Sequence, residues 1–88
     1  MRIYGWLKEL ADRQGSDLYL ATGAPACAKF DGALTALSVE TLAPGEVSNI
    51  ANELMDEAQR QEFERDLEMN LAVSLPEIGR FRVNIFRQ

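Results

Sequence analysis

One alternating segment organises this chain: Gly79-Arg80-Phe81-Arg82-Val83-Asn84-Ile85-Phe86-Arg87-Gln88. A period of two predicts a β-strand with one face in the core and the other towards solvent. The residues predicted to face the core are Phe81, Val83 and Ile85. The residues predicted on the opposite face are Arg80, Arg82 and Asn84. The pattern has no terminating residues, so we expect a fragment of a longer chain whose next strand pairs with this one.

Apolar spacing upstream predicts a helix followed by three strands. Residues 3–11 carry the helical spacing, and Gly15 is predicted to supply the left-handed stop of this helix. Short strands are predicted at 18–20, 26–30 and 33–37 from their apolar content and the turn residues between them. The first half of the chain therefore has the predicted order αβββ.

Turn-forming residues separate these strands. Asp31-Gly32 has the residue types of a two-residue primed turn, and Gly23 is assigned to backbone geometry in the preceding bend. Asp17 stands at the entrance of the first strand, where its side chain is predicted to accept local backbone N–H bonds. These residues are interpreted as structural turns and caps.

The second half of the chain predicts two helices and two strands. Pro44 is placed in the first turn of one helix, and Asp56 with Gln59 resembles the capping box that starts the next. Residues 69–75 alternate as a strand before the arginine-rich strand. The order αβββααββ predicts an α+β domain over residues 1–88, with an antiparallel sheet and helices on one face.

Composition narrows the possible functions. The net charge of −5 and the pI near 4.6 argue against nucleic acid and anionic membrane surfaces as partners. A single cysteine, Cys27, and the absence of histidine exclude disulfides and zinc sites within this sequence. No apolar run approaches the roughly 18 residues of a membrane span, so we expect a cytoplasmic domain.

The sequence carries no pattern of an independent enzyme. It has no G-x-x-x-x-G-K-[ST] phosphate loop, and without histidine it lacks the usual base of a nucleophilic triad. A carboxylate pair of Asp17 and Asp31 is explained by their turn and cap positions. Residues 1–88 are therefore predicted to bind no cofactor and to catalyse no reaction by themselves.

Arginines near the end of the sequence are the best functional candidates. Three of the seven arginines, Arg80, Arg82 and Arg87, lie in the last nine residues. Arg80 and Arg82 are about 6.5–7 Å apart along one strand face, which allows both to address one anion. The alternative is an exposed edge strand whose arginines pair with Glu68 or Glu77.

Several segments taken together resemble a known family. They are Ser16-Asp17-Leu18, Gly23-Ala24-Pro25, Asp31-Gly32, Gln59-Arg60, Phe63-Glu64 and Gly79-Arg80-Phe81-Arg82-Val83-Asn84. As a set they resemble the N-terminal domain of type IV pilus retraction ATPases, the PilT/PilU family of twitching motility. The resemblance runs over nearly the whole sequence.

That resemblance implies a PAS-like domain placed ahead of a RecA-like motor domain, which would lie beyond residue 88. It implies a homohexamer that uses ATP and magnesium, sits at the cytoplasmic side of the inner membrane and works with the pilus machinery. It also implies that Arg82, in the Arg-Phe-Arg motif, approaches ATP held by a neighbouring motor domain, with Arg80 beside it. Tyr19, where a histidine is frequent in the family, favours the PilU-type branch.

Two other interpretations stay open at this point. One is the N-terminal domain of a related type II secretion or pilus-assembly ATPase, and the other is a free-standing PAS-like binding module. A strand cut at residue 88 further predicts that the fragment dimerises through the open edge of residues 80–87.

Overall fold

The computed structural model describes residues 2–87, apart from the side chain of residue 2. Its helices are α1 (Arg2–Asp12), α2 (Pro44–Leu54) and α3 (Glu57–Asp66). Its strands are β1 (Asp17–Ala21), β2 (Cys27–Phe30), β3 (Ala33–Ala36), β4 (Glu68–Leu75) and β5 (Gly79–Phe86). The predicted α+β class and the order αβββααββ are confirmed.

The five strands form one mixed sheet in the order β3-β2-β1-β5-β4. β5 runs antiparallel to β4 but parallel to β1, so the prediction of a wholly antiparallel sheet is wrong for this central pair. The chain leaves β3 and passes through α2 and α3 before β4, and a crossover of this kind permits parallel pairing. Alternation in sequence marks the two faces of a strand but not its neighbours, so it did not reveal β1 beside β5.

β5 is consequently an interior strand. It is paired with β1 from Arg82 to Phe86 and with β4 from Gly79 to Phe86. The expectation that residues 80–87 leave an open edge is therefore wrong, and dimerisation through that strand loses its structural basis. Within the described residues, the edges of the sheet belong to β3 and β4.

The buried side chains of the helices and the sheet form one core. The helical members are Ile3, Trp6, Leu7, Leu10, Val47, Ile50, Ala51 and Phe63. β5 contributes Phe81, Val83 and Ile85, which are the three residues predicted to face inward. Their burial confirms the predicted register of this strand and leaves the positions between them on the other face of the sheet.

Gly15 is needed for a different reason from the one predicted. The left-handed residue at the end of α1 is Gln14, with φ of 61°, whereas Gly15 is not among the residues of positive φ. A Cβ atom at Gly15 would lie 2.8 Å from the ring of Phe30 and 2.9 Å from Leu10. The glycine therefore permits a close approach between the chain after α1 and the core.

The other predicted turn positions are confirmed. Asp31 and Gly32 have φ of 49° and 80°, as a primed hairpin turn between β2 and β3 requires. Gly23 has φ of 83°, and its N–H donates to the Leu42 carbonyl at 2.8 Å. These residues shape the backbone, as the sequence indicated.

Local hydrogen bonds define where α3 begins. The Asp56 carboxylate accepts from the Gln59 N–H at 2.8 Å, and the Gln59 amide oxygen accepts from the Asp56 N–H at 3.0 Å. This is the predicted capping box. Pro44 opens α2, also as predicted.

Across residues 2–87, none of the helices has the length and apolar character of a bilayer span.

Candidate functional site: the Asp17–Arg82 face of the sheet

Parallel pairing brings Asp17 and Arg82 side by side. The two residues are partners in the register of β1 and β5, and both project from the face opposite the core. The Arg82 Nε donates to Asp17 Oδ1 at 2.6 Å. Asp17 is only 7% exposed, whereas the Arg82 side chain is 68% exposed. The pair therefore joins a buried anion to a cation that reaches out of the sheet.

Asp17 is held by side chains and not by the local backbone bonds that the sequence predicted. Its Oδ2 accepts the Ser16 hydroxyl at 3.0 Å, while Oδ1 accepts Arg82. Because the hydrogen bond from Arg82 outweighs the effect of burial, the pKa of Asp17 lies below its ordinary value. The earlier interpretation failed because it lacked the β1–β5 pairing that brings a cation from 65 residues away.

Arg82 keeps part of its guanidinium free. Its backbone N–H donates to the Ser16 carbonyl at 3.0 Å. Arg82 is therefore bonded to the start of β1 through its backbone as well as through its Nε. Among residues 2–87, Nη1 and Nη2 have no hydrogen-bond partner. The hydrogen bond to Asp17 raises the pKa of Arg82, so the free edge is a permanent cation.

A shallow cleft of about 350 Å³ lies beside this pair. The side chains at its rim include Ser16, Asp17, Asn70, Arg80 and Arg82. Arg80 is exposed, as predicted, and forms no ion pair with any described residue, so the alternative pairing with Glu68 or Glu77 is absent there. The cleft thus presents two cations beside one buried carboxylate.

Asn84, which was predicted on the solvent-facing side with the arginines, is buried. Its amide donates to the Leu18 carbonyl at 3.2 Å, across the parallel pair. Burial of a polar amide is tolerated because this hydrogen bond replaces one to water. Asn84 therefore helps to hold β5 against β1 and does not enlarge the exposed polar face.

Arg87 has a different environment. Its two terminal nitrogens donate to both carboxylate oxygens of Glu64, at 3.0 and 2.9 Å. The guanidinium also lies 5.5 Å from the centre of the Phe63 ring. This arginine, which the sequence placed with the functional candidates, is used to join the end of β5 to α3.

Metal binding finds no support in this face. Within the described part of the chain, Asp, Glu and Cys residues form no group of three or more that is arranged to hold an ion.

The contact between Ser16 and Asp17 was not predicted from the sequence. The place of Ser16 directly before Asp17, in the segment Ser16-Asp17-Leu18, was the available signal.

Comparisons with known proteins agree with the fold. No family model matches the chain. The chain is 34% identical over 82 residues to the type IV pilus ATPase PilU of Pseudomonas aeruginosa, which is 93% of this chain and 22% of that protein. It is 33% identical over 78 residues to the retraction ATPase PilT of the same organism, covering 89% of this chain and 23% of PilT.

A solved structure gives the same result. The crystal structure of the pilus retraction motor PilT with bound ADP matches 96% of this chain and 25% of that chain, with a TM-score of 0.74 and 30% identity. This chain is homologous to the N-terminal domain of type IV pilus retraction ATPases. It spans about a quarter of the length of these relatives. The identities to PilU and PilT are nearly equal, so the PilU preference based on Tyr19 stays a prediction.

Proposed function

We propose that this chain is the N-terminal assembly and regulatory domain of a homohexameric ATPase that powers type IV pilus retraction and twitching motility. Residues 1–88 precede a RecA-like motor domain in the parent protein and pack against the motor domain of the neighbouring subunit. The hexamer uses ATP and magnesium at the cytoplasmic side of the inner membrane, where it meets the pilus machinery. Residues 1–88 alone neither bind ATP tightly nor hydrolyse it, since they contain no phosphate loop.

The observation that carries this proposal is the free edge of Arg82. Its Nη1 and Nη2 have no partner among residues 2–87 on a side chain that is 68% exposed, while its Nε is bonded to Asp17. A planar guanidinium with two parallel donors suits the oxygens of a phosphate group. In the proposal, Arg82 contacts the phosphates of ATP in the neighbouring motor domain, and Arg80 contributes a second cation from the same face.

The two alternatives receive less support. Relatives named for pilus retraction or pilus ATPase activity match nearly all of this chain, which favours the retraction ATPases over secretion or pilus-assembly ATPases. A free-standing binding module receives less support, because the relatives that this chain matches are longer proteins of which it covers only about a quarter.

The test is the ATPase rate of the full-length parent. Arg82→Ala is expected to lower turnover by up to about 10³-fold, since arginine contacts to a transferred phosphoryl group reach this range. Arg80→Ala is expected to have a milder effect, because Arg80 lacks a partner that fixes it. Glu64→Gln is the matched control, since it breaks the ion pair of Arg87, directly after β5, without touching this face.

Mixed hexamers separate a contact in trans from one within a subunit. Subunits carrying Arg82→Ala are combined with subunits whose motor domain cannot hydrolyse ATP. If Arg82 acts on its neighbour, the mixture recovers activity that neither variant has alone. Absence of recovery, with both variants assembled, contradicts the contact in trans.

A further inference from the structure

We propose that Asp17, braced by Ser16, is a positioning residue that aims the free edge of the Arg82 guanidinium at a phosphate group carried by the neighbouring chain. This inference rests on the proposed function and adds the residues that prepare its arginine.

Three contacts restrict Arg82 before any ligand arrives. Its backbone N–H is bonded to the Ser16 carbonyl at 3.0 Å, and its Nε to Asp17 Oδ1 at 2.6 Å. The Ser16 hydroxyl donates to the second carboxylate oxygen at 3.0 Å, which fixes the rotation of the carboxylate. An arginine fixed at its Nε keeps only the Nη1–Nη2 edge for a further partner, so the direction of that edge is set by the pair.

The buried position of Asp17 in the middle of the sheet supports this role. Asp17 is buried at the start of an interior strand, with β2 on one side and β5 on the other. Lys29 is its partner in the register with β2, yet forms no ion pair with it among the described residues. The pKa of Asp17 is lowered mainly by the hydrogen bond from Arg82 and, to a smaller degree, by the charge of Lys29, so Arg82 is the cation that the carboxylate bonds. Holding a long, flexible side chain in its binding geometry lowers the ordering cost of the contact that follows.

The experiment is a double-mutant cycle in the full-length parent. Asp17→Ala is expected to lower turnover at saturating ATP by about 10- to 100-fold, because a displacement of about 1 Å in a catalytic contact has effects of this size. Asp17→Asn keeps an oxygen acceptor without the charge and is expected to lie between Asp17→Ala and the wild type. The double variant Asp17→Ala/Arg82→Ala is expected to match Arg82→Ala alone, since Asp17 acts through Arg82.

Outcomes of this cycle separate the two proposals. A further drop of Asp17→Ala in the Arg82→Ala background, equal to its drop in the wild type, would make Asp17 an independent contributor to assembly or folding and overturn the positioning role. Normal turnover of Asp17→Ala beside a low turnover of Arg82→Ala would overturn the positioning role and leave the proposed function standing. Normal turnover of Arg82→Ala would overturn the arginine contact itself, and this inference with it.

A second measurement does not depend on ATP hydrolysis. In NMR spectra of the 88-residue chain, the Nε–H proton of Arg82 is expected to be visible and slow to exchange with water, because Asp17 accepts it. Asp17→Asn is expected to weaken this protection and Asp17→Ala to abolish it, while Glu64→Gln leaves it unchanged. Persistence of the protected signal in Asp17→Ala would mean that Asp17 does not hold Arg82.

Discussion

The arginines of two arginine–carboxylate pairs, Arg82 in β5 and Arg87 directly after this strand, lie five residues apart and use their guanidinium groups differently. Arg82 gives only its Nε to Asp17, and its side chain is 68% exposed. Arg87 gives both terminal nitrogens to Glu64, stands over the Phe63 ring and is 23% exposed. One pair leaves a cationic edge available to another molecule, whereas the other uses that edge within the domain.

The two pairs show that the number of arginines in a motif does not measure its binding capacity. What matters is which nitrogens remain after the fold has satisfied its own carboxylates. Asp17 is buried at the start of an interior strand and accepts a hydrogen bond from a cation of the neighbouring strand, while Glu64 lies on an exposed helix where water is an adequate partner. Five experiments address this comparison.

Removing the inward side chain between the two arginines of the cleft has the largest expected effect. Phe81→Ala should cost about 3–5 kcal/mol of unfolding free energy, because Phe81 is 4% exposed and its loss leaves a cavity beneath β5. Both pairs depend on that strand. Chemical denaturation measures the loss, with Phe86→Ala on the more exposed side as control. A cost well under 1 kcal/mol would mean that the faces of β5 are reversed.

Removing the buried carboxylate comes next. Asp17→Ala should cost about 1–2 kcal/mol, since two hydrogen bonds to the carboxylate are lost and one partner is largely exposed to solvent. Glu64→Ala is the comparison at the exposed pair, and denaturation midpoints should show the smaller effect there. An equal or larger loss for Glu64→Ala would reverse the roles assigned to the two carboxylates.

Acidification should reveal the same asymmetry. The folded pKa of Asp17 lies below its ordinary value, chiefly through the hydrogen bond from Arg82. Its contribution is therefore fully present above the unfolded pKa of about 4 and is lost as the pH falls through the lower folded value. Between pH 6 and pH 2, the melting temperature of Asp17→Asn should fall less on acidification than that of the wild type. Identical pH profiles would remove Asp17 as a source of the acid sensitivity.

Breaking the Arg87–Glu64 pair should have a measurable but modest effect on the melting temperature. Arg87→Ala should lower the melting temperature by a few degrees, because the side chain packs on Phe63 as well as bonding Glu64. Arg87→Lys keeps the charge but loses the two-pronged contact, and should recover only part of the difference. Full recovery by lysine would show that charge alone matters at this position.

The smallest expected effect on stability belongs to Arg82→Ala. The side chain is largely exposed, and its removal opens Asp17 to water, which replaces the lost hydrogen bond. The melting temperature of the 88-residue chain should therefore stay within a few degrees of the wild type. A collapse of folding in Arg82→Ala would instead make Arg82 a structural ion-pair residue and weaken its proposed role towards ATP.

Much of the local structure followed from residue patterns alone. The capping box of Asp56 and Gln59, the primed turn at Asp31-Gly32 and the inward face of β5 were all predicted and are confirmed. Each depends on residues within a few positions of one another, whose geometry is dictated by hydrogen-bond reach and strand alternation. Gly15 was recognised as necessary, but its close approach to Phe30 was not, because that contact joins separate elements.

The candidate site was also predicted only in part from the sequence. Alternation along β5 placed Arg80 and Arg82 on the exposed face, and the resemblance to retraction ATPases selected Arg82. Neither the alternation nor the resemblance indicated that Asp17 would be the partner of Arg82, or that Arg87 would form an ion pair with Glu64. Which strands are neighbours depends on how the crossover through α2 and α3 returns the chain to the sheet. That pairing is a property of the whole fold, since a strand's period of two is equally compatible with either neighbour and either direction.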